Sequence, residues 1–271
     1  MSPQQAEGKT VMTSLLSHIP TVGLLVFLMI LGSLPPFLTL WLVRRRYTIE
    51  VLKDNHDVAG YTLNVIGVLY AVLVAFVLLA AWEQFRRTEE ICEIEGAVVR
   101  NLHRDSFMLP AASQVPVRQA LIDYASAVTK KEWPSLIIHS DHPAATAAMN
   151  HIWQAYYSVQ ATTDAEKVWY GESVAKLNEL AAQRRLRIIQ CRQHVSWVMW
   201  VLLVMGGVIT VGFMNFFGVQ SFRSHLIMTV SLTSMLILIL FIIYALDHPF
   251  WGDLRITPQA LSGFLELHPV P

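Results

Sequence analysis

Charged residues are scarce in this 271-residue chain, making up 15% of it, whereas apolar residues make up 54%. Globular chains carry roughly 25% charged residues, so this sequence has too little charge to cover a water-facing surface. Its 20 basic residues balance 20 acidic ones, which leaves no positive surplus to indicate nucleic-acid binding. Two cysteines, Cys92 and Cys191, are too few for a secreted disulfide scaffold. The composition indicates an integral membrane protein.

Long apolar runs account for this composition. A helix that crosses the bilayer needs ~20 mostly apolar residues, each rising ~1.5 Å. Windows that meet this need and contain no Asp, Glu, Lys or Arg are 22–43, 62–82, 195–217 and 224–246. The first is too long for a signal-peptide core and has no small-residue cleavage site before the arginines that follow it, so we expect a retained span. Pro35 and Pro36 predict a kink or an early end of its helix.

The four spans fall into two pairs on either side of a polar insert. We expect these parts: an N-terminal segment (1–21), a first membrane pair (22–82), an extramembrane insert (83–194), a second membrane hairpin (195–246) and a C-terminal tail (247–271). The connection between the last two spans is so short that they must be antiparallel. With four spans, both termini and the insert lie on one side of the membrane.

Helical periodicity continues through the insert, and no strand pattern competes with it. Apolar residues at 91, 94, 98 and 102 predict that the second span extends into the insert and ends at Pro110. Apolar positions 117–128 and 149–159 mark two more helices, and Trp133-Pro134 is expected to stop the first of them. A capping box, Thr163-x-x-Glu166, begins a fourth helix that is predicted to run directly into the third span. Arg184 interrupts the apolar stripe of that helix. The sequence therefore predicts an all-α membrane protein with a four-helix insert.

Charges near the spans do not settle the orientation. The arginines at 44–46 and Lys53 follow the first span, against only Lys9 before it, and favour a cytoplasmic 44–61 loop. A second group of arginines lies at the membrane ends of the insert and favours the opposite orientation: Arg86, Arg87, Arg184, Arg185, Arg187 and Arg192. From charge alone, both orientations stay open.

The second span carries a stripe of small residues. Gly67, Ala71 and Ala75 lie four residues apart on one helix face, with Asn64 before them and Leu78 after them. Small residues at this spacing let helices approach closely, so plain helix packing is one interpretation. A pore is the other, because identical copies around a symmetry axis would turn the stripe toward a central path. Such a path would have one amide and otherwise apolar walls.

Motifs for catalysis, cofactors and metals are missing. The sequence contains no G-x-S-x-G, H-E-x-x-H, phosphate-binding loop or glycine-rich dinucleotide turn, so we expect no enzyme and no cofactor. The spans also lack the ionisable group that coupled transporters need. His-Ser-Asp-His at 139–142 and Asn-His-Asp at 55–57 are each a metal corner or a loop, and we interpret both as loops. Gly206, Gly207 and Gly212 in the third span predict close helix contact or local flexibility.

A polar turn follows the fourth span. Asp247 and Asp253 flank a segment that contains Pro249, Phe250 and Gly252. We interpret this segment as a structural motif that holds the tail against the insert. Two carboxylates are too few for a calcium site, because Ca²⁺ prefers 6–8 oxygen ligands.

Several motifs, taken together, resemble a known family. They are His-Asp-Val-Ala-Gly at 56–60, Gly67-x-x-Tyr70-Ala71-x-Leu73-x-Ala75-Phe76, Trp82-Glu83-Gln84-Phe85, Glu95-Gly96, Tyr124, Glu132-Trp133-Pro134 and Leu246-Asp247-x-Pro249-Phe250-x-Gly252. In these positions the chain resembles the bacterial bestrophin-like family once called a domain of unknown function (DUF4239). That family is distantly similar to the bestrophins, which are pentameric anion channels.

The resemblance implies a fold, an assembly and an orientation. It implies four spans with a helical insert between the second and the third, a homo-oligomer (a pentamer) in the inner membrane, and a pore lined by the second helix. It also implies a cytoplasmic insert and cytoplasmic termini, which we adopt against the arginines at 44–46. In bestrophins a Pro-Phe-Gly segment leads into an acidic cluster that binds Ca²⁺. Here only Asp253 follows that segment, so the acidic cluster is missing, and the small-residue stripe lacks the aromatic rings of the bestrophin neck.

Two functions remain open from the sequence. The first is a homo-oligomeric channel in the lipid bilayer that passes small inorganic anions, with the second span at its axis. The second is a non-conducting scaffold or sensor whose insert binds a partner protein. The insert is large and holds 13 basic and 13 acidic residues, which is the reason for the second hypothesis.

Overall fold

The structure, a computed structural model, describes residues 21–54, 56–138 and 140–268. Residues 1–20 of the predicted N-terminal segment, Asn55 and His139 lie outside the described residues. In chain order the α-helices are α1 (Thr21–Arg46), α2 (Ile49–Asp54), α3 (His56–Asp105), α4 (Ala111–Ala127), α5 (Trp133–Leu136), α6 (Pro143–Tyr157), α7 (Asp164–Gln190), α8 (Trp197–Met214), α9 (Phe222–Asp247) and α10 (Gln259–Leu267). Over the ranges described the protein is all-α without strands, as predicted.

Helices α1, α3, α8 and α9 are each long and apolar enough to cross a membrane, which confirms the four predicted spans. A helix satisfies its own backbone hydrogen bonds, as hydrocarbon requires. α1 continues through Pro35 and Pro36 to Arg46, so the early end that the prolines allowed does not occur. The Thr39 hydroxyl lies 3.0 Å from the carbonyl oxygens of both prolines. Prolines are tolerated in membrane helices where such hydroxyl groups and neighbouring helices compensate locally.

The chain divides into two compact units, of which the first is the membrane unit. It comprises the described residues up to Gln84 together with Val195–Asp247 and Trp251–Leu254. In it α1 packs against α9 and α8, and Leu40, Leu203 and Ile243 are fully buried between the helices. Apolar side chains fill these contacts, so the membrane unit is held together by close packing.

The second unit, the insert unit, comprises Phe85–His194, His248–Phe250 and the described residues from Arg255 onward. Its core lies where α4 packs against α6, with the later part of α3 and α7 alongside. Leu121, Tyr124, Ile152 and Leu177 are among the fully buried side chains. The predicted capping box is confirmed at the start of α7, where the Thr163 hydroxyl accepts the Glu166 amide proton and the Glu166 carboxylate accepts the Thr163 amide proton. These hydrogen bonds hold the pKa of Glu166 at about 2.

Two predicted helix ends are wrong. α7 does not run into the third span, because it ends at Gln190 and α8 begins only at Trp197. The Val195 amide donates to the Asp247 carboxylate at 2.6 Å. This hydrogen bond replaces a helical one and so favours the break between the two helices. Trp133-Pro134 does not stop the second insert helix either. A π turn (Val128–Glu132) leads from α4 into α5, where Pro134 occupies a first-turn position that needs no amide proton.

Four smaller differences concern helix ends, one short motif and the tail. α3 continues past the second span as predicted, but it ends at Asp105 and a 3₁₀ turn (Ser106–Met108) follows before Pro110. α6 ends at Tyr157, two residues before Val159. His56 and Asp57 of the Asn-His-Asp motif, interpreted above as a loop, are helical, since α3 begins at His56. The tail, for which no helix was predicted, contains α10.

Helix α10 lies against the later part of α3 at a glycine. A Cβ added to Gly96 would lie 3.0 Å from the backbone carbonyl carbon of Ala260. The Arg100 guanidinium donates to the Ala260 carbonyl oxygen at 2.8 Å, and Leu261 and Phe264 are buried in the core of the insert unit. Only glycine permits this distance between the two backbones.

We predict that Gly96→Ala displaces α10 and lowers stability by about 1–3 kcal/mol, because the methyl group meets backbone that cannot rotate away. Thermal unfolding and limited proteolysis of the C-terminal tail measure the effect. Gly171→Ala on α7 is the matched control, since nothing lies within 4 Å of a Cβ added there. Equal protease resistance of the two variants would contradict this account of α10.

Candidate functional site

The structure places the five predicted pore residues along one side of α3. Asn64, Ala71 and Ala75 are exposed, and Gly67 and Leu78 are half-buried. Nothing described lies within 4 Å of a Cβ added to Gly67. The chain's own described helices leave this stripe largely uncovered, so packing within one protomer does not account for it.

A different side of α3 makes the helix contacts of the membrane unit. Tyr70, Val74 and Ala81 are buried there, and the Tyr70 hydroxyl donates to the Leu203 carbonyl oxygen at 2.9 Å. A Cβ added to Gly206 would clash with the Tyr70 ring, which confirms the close contact predicted there. Gly207 also faces this tyrosine, whereas no described atom lies within 4 Å of a Cβ added to Gly212.

The faces of α3 differ in residue size. At about 100° per residue, the small-residue stripe lies roughly a quarter turn from the packed side. Bulky apolar residues, including Val65, Val72 and Phe76, lie opposite the packed side, and each of these three is half exposed or more. One membrane helix thus presents a packed side, a small side and a bulky apolar side that suits lipid.

The insert unit contains a buried ionic network centred on Arg187. Its guanidinium is fully buried and donates to Glu95 at 2.6 and 3.1 Å and to Glu132 at 2.8 Å. Arg184 donates to the same Glu132 carboxylate at 2.6 and 3.1 Å. The Tyr124 hydroxyl donates to Glu95 at 2.6 Å. The network joins the later part of α3, α4, the π turn and α7.

The charges of the network compensate one another. Burial raises the pKa of Glu132, but the Arg184 hydrogen bonds and the Arg187 charge outweigh that effect and hold it below its ordinary value. Burial would lower the pKa of Arg187, yet the Glu95 carboxylate raises it well above its ordinary value. Burial and the neighbouring Glu95 raise the pKa of Tyr124. Glu132, Arg184 and Arg187 therefore stay charged, and Tyr124 stays protonated, at neutral pH.

Comparison with known proteins identifies the family. A profile of the Bestrophin-like domain matches residues 30–261, which is most of the chain. The chain belongs to the Bestrophin-like family. With its four candidate spanning helices it is a multi-pass membrane protein, and the family resemblance of its motifs is confirmed. No curated protein matches the sequence.

Solved structures agree with this fold. Three crystal structures of a bacterial bestrophin homologue from Klebsiella pneumoniae are similar to the chain. One variant is 15% identical with a TM-score of 0.66, covering 89% of this chain and 97% of its own. A second variant is 16% identical with a TM-score of 0.67, covering 90% and 96%. A form solved by zinc phasing is 17% identical with a TM-score of 0.63, covering 88% and 95%. At these identities they establish the bestrophin fold.

The tail motif of this Bestrophin-like chain forms a turn. Gly252 has a φ of 76°, in the left-handed region that favours glycine, and the Ile256 amide donates to the Pro249 carbonyl oxygen at 2.7 Å. The Phe250 ring lies edge-on to Trp133 at 5.7 Å, and the Trp133 indole donates to Ile256 at 3.1 Å. Asp253 is exposed. These contacts support a structural role for the segment.

The 139–142 segment also makes structural contacts, within the residues described. The His142 ring nitrogen accepts the Ala144 amide proton at 3.1 Å and so caps α6. Asp141 forms an ion pair with Arg192 at 3.2 Å. This arrangement agrees with our interpretation of a loop before a helix.

Sequence reasoning missed the ionic network as a unit. Arg184 stood out only as an interruption of an apolar stripe, and its partner Glu132 lies 52 positions away. One signal was present: Glu95, Tyr124 and Glu132 all lie in the motifs that carry the family resemblance. Arg184 and Arg187 lie three residues apart on the buried side of α7, a spacing that turns both toward the same partners.

We predict that Arg187→Met destabilises the protein by about 3–5 kcal/mol, because Glu95 and Glu132 would keep buried charges without their main partner. Differential scanning fluorimetry of the detergent-solubilised protein should show a Tm about 10 °C lower. Arg185→Met, at an exposed position two residues away, should leave the Tm within about 2 °C. A similarly small effect of Arg187→Met would contradict the central place of this guanidinium.

Proposed function

We propose that the protein is a homo-oligomeric channel for small anions, not an enzyme, with α3 lining the pore. Its membership of the Bestrophin-like family supports an ion channel. The observation that carries the pore assignment is the stripe of Asn64, Gly67, Ala71, Ala75 and Leu78, which the chain's own described helices leave largely uncovered. Symmetric copies that meet along this stripe would enclose a path.

The residues on the stripe define the kind of pore. Its walls would be formed by glycine, alanine and leucine side chains, with the Asn64 amide as the polar group. Such a wall offers no fixed charge to hold a permeating ion, and a narrow apolar passage opens or closes by wetting and drying. Membership of the Bestrophin-like family supports the proposed preference for anions.

The arginines at the end of α1 bear on the orientation. The Arg44 guanidinium donates to the carbonyl oxygens of Val219 and Gln220, and the Arg45 guanidinium lies 5.2 Å from the centre of the Trp41 ring. Two of the three arginines therefore have local structural partners. These contacts give the two arginines a structural role, which lessens their weight under the positive-inside rule. The family resemblance then supports the orientation that we propose, in the inner membrane with a cytoplasmic insert and cytoplasmic termini.

We predict that Ala71→Trp lowers chloride flux at least about tenfold in liposomes reconstituted with the purified protein, because the indole would fill a passage lined by small side chains. Stopped-flow quenching of a chloride-sensitive dye measures the flux. Val72→Trp is the matched control, since Val72 lies at the same depth on the bulky side of α3 and is half exposed. It should conduct like the unmodified protein.

The flux assay, together with a partner-binding assay and a measurement of ionic currents, tests the alternative functions. Normal flux through a well-folded Ala71→Trp protein would contradict the pore assignment. No flux from the unmodified protein, together with a stoichiometric partner bound to the insert, would favour the scaffold or sensor hypothesis instead. Equal currents in sodium chloride and sodium gluconate would contradict selectivity for small anions.

A further inference from the structure

The membrane unit contains an apolar cavity of about 540 Å³ between α1, α8 and α9. Along α1 it extends from Gly32 to Val43, which is roughly 16 Å of helix. Val208 and Gly212 line it from α8, and Leu240 lines it from α9. Ligand cavities in proteins measure about 300–1,000 Å³, so this one is large enough to hold a ligand. Its length and its walls suit a hydrocarbon chain.

One end of the cavity is polar. Asn215, which is 3% exposed, lines that end, and its side-chain nitrogen donates to the Thr39 hydroxyl at 2.9 Å. The Thr39 hydroxyl in turn donates to the carbonyls of Pro35 or Pro36, which fixes the direction of this bond. The other amide atom, Asn215 Oδ1, is buried with no hydrogen-bond partner among the described residues. An acceptor buried among apolar helices is costly without a donor, and a ligand in the cavity can supply that donor.

A cationic group adjoins the same end. Arg44 directly follows the lining residue Val43, and its terminal nitrogens donate to the carbonyl oxygens of Val219 and Gln220. The Arg44 Nε is buried and has no acceptor among the residues described. Arg45 and Arg46 are exposed beside it. The polar end thus has an unused acceptor in its wall and, one residue beyond Val43, an unused donor that carries positive charge.

We propose that this cavity binds one acyl chain of an anionic phospholipid whose headgroup carries hydroxyl groups, the chemistry of phosphatidylglycerol. The acyl chain fills the apolar part between α1, α8 and α9. The phosphate accepts from Arg44 Nε and is attracted by the two neighbouring arginines, because basic groups at membrane helices favour anionic headgroups. A headgroup hydroxyl donates to Asn215 Oδ1. This ligand satisfies both unused atoms, and its binding does not depend on whether the protein conducts ions.

Native mass spectrometry of the full-length protein tests the proposal. After purification in mild detergent, we expect one retained lipid per chain. Dioleoyl-phosphatidylglycerol should then bind about tenfold more tightly than dioleoyl-phosphatidylcholine, which has the same acyl chains but no net charge and no hydroxyl donor.

Two variants test the cavity itself. Gly212→Trp should abolish lipid retention, since open space at this position leads the indole into the cavity. Val201→Trp on α8 is the matched control, because Val201 is exposed and does not line the cavity. Asn215→Leu, which keeps the volume, should lower phosphatidylglycerol affinity about fivefold through the lost hydrogen bond.

Three results would overturn the proposal. Equal affinity for the two lipids would remove the assigned headgroup contacts. Unchanged retention by Gly212→Trp would place the lipid elsewhere. The third result combines two observations: the purified protein retains no lipid, and Gly212→Trp changes the number of chains per complex. It would show that a second copy of the chain fills the cavity. Chloride flux is measured separately, so failure of the channel would leave each of these results interpretable.

Discussion

Hydrocarbon offers no hydrogen-bond partner to a peptide group, and this constraint governs the membrane half of the protein. Each spanning segment must be a helix, and the spans, which carry no Asp, Glu, Lys or Arg, associate through close packing and a few hydrogen bonds between helices. The sides of α3 differ in the size of their side chains. Its packed side accepts α8 through Tyr70 and Gly206, whereas its small-residue side stays largely uncovered by the chain's own described helices. Contact between copies along that uncovered side is what the proposed pore requires.

In the insert unit, buried charged side chains specify how the helices pack. Arg187 is fully buried and shared between Glu95 and Glu132, and Trp133 adds a cation–π contact at 5.0 Å. Buried ion pairs add little net stability. Removing one member of a pair, however, leaves the other charge buried without compensation, which is costly. The network therefore fixes which helix faces meet. Because α3 supplies residues to both units, the same helix carries the small-residue stripe and Glu95.

The sequence predicted features that depend on local or compositional signals. The four spans follow from apolar length, the capping box from Thr163 and Glu166, and the continuation of α3 from its helical period. Features set by distant contacts were not predictable in this way. The break after Gln190 depends on Asp247, the ionic network on residues up to 92 positions apart, and the position of α10 on Gly96. The spacing of the small residues predicted the stripe. Spacing does not show whether neighbouring helices cover it.

The central claim is that several chains gather with α3 around a common axis. The most direct test is a cryo-electron microscopy structure of the full-length protein in lipid nanodiscs, from which the symmetry and the pore radius along the axis are measured. The account predicts a closed ring in which Gly67, Ala71 and Ala75 face a continuous axial opening. A monomer, or a ring in which these three residues face lipid and no opening runs between the protomers, would contradict it.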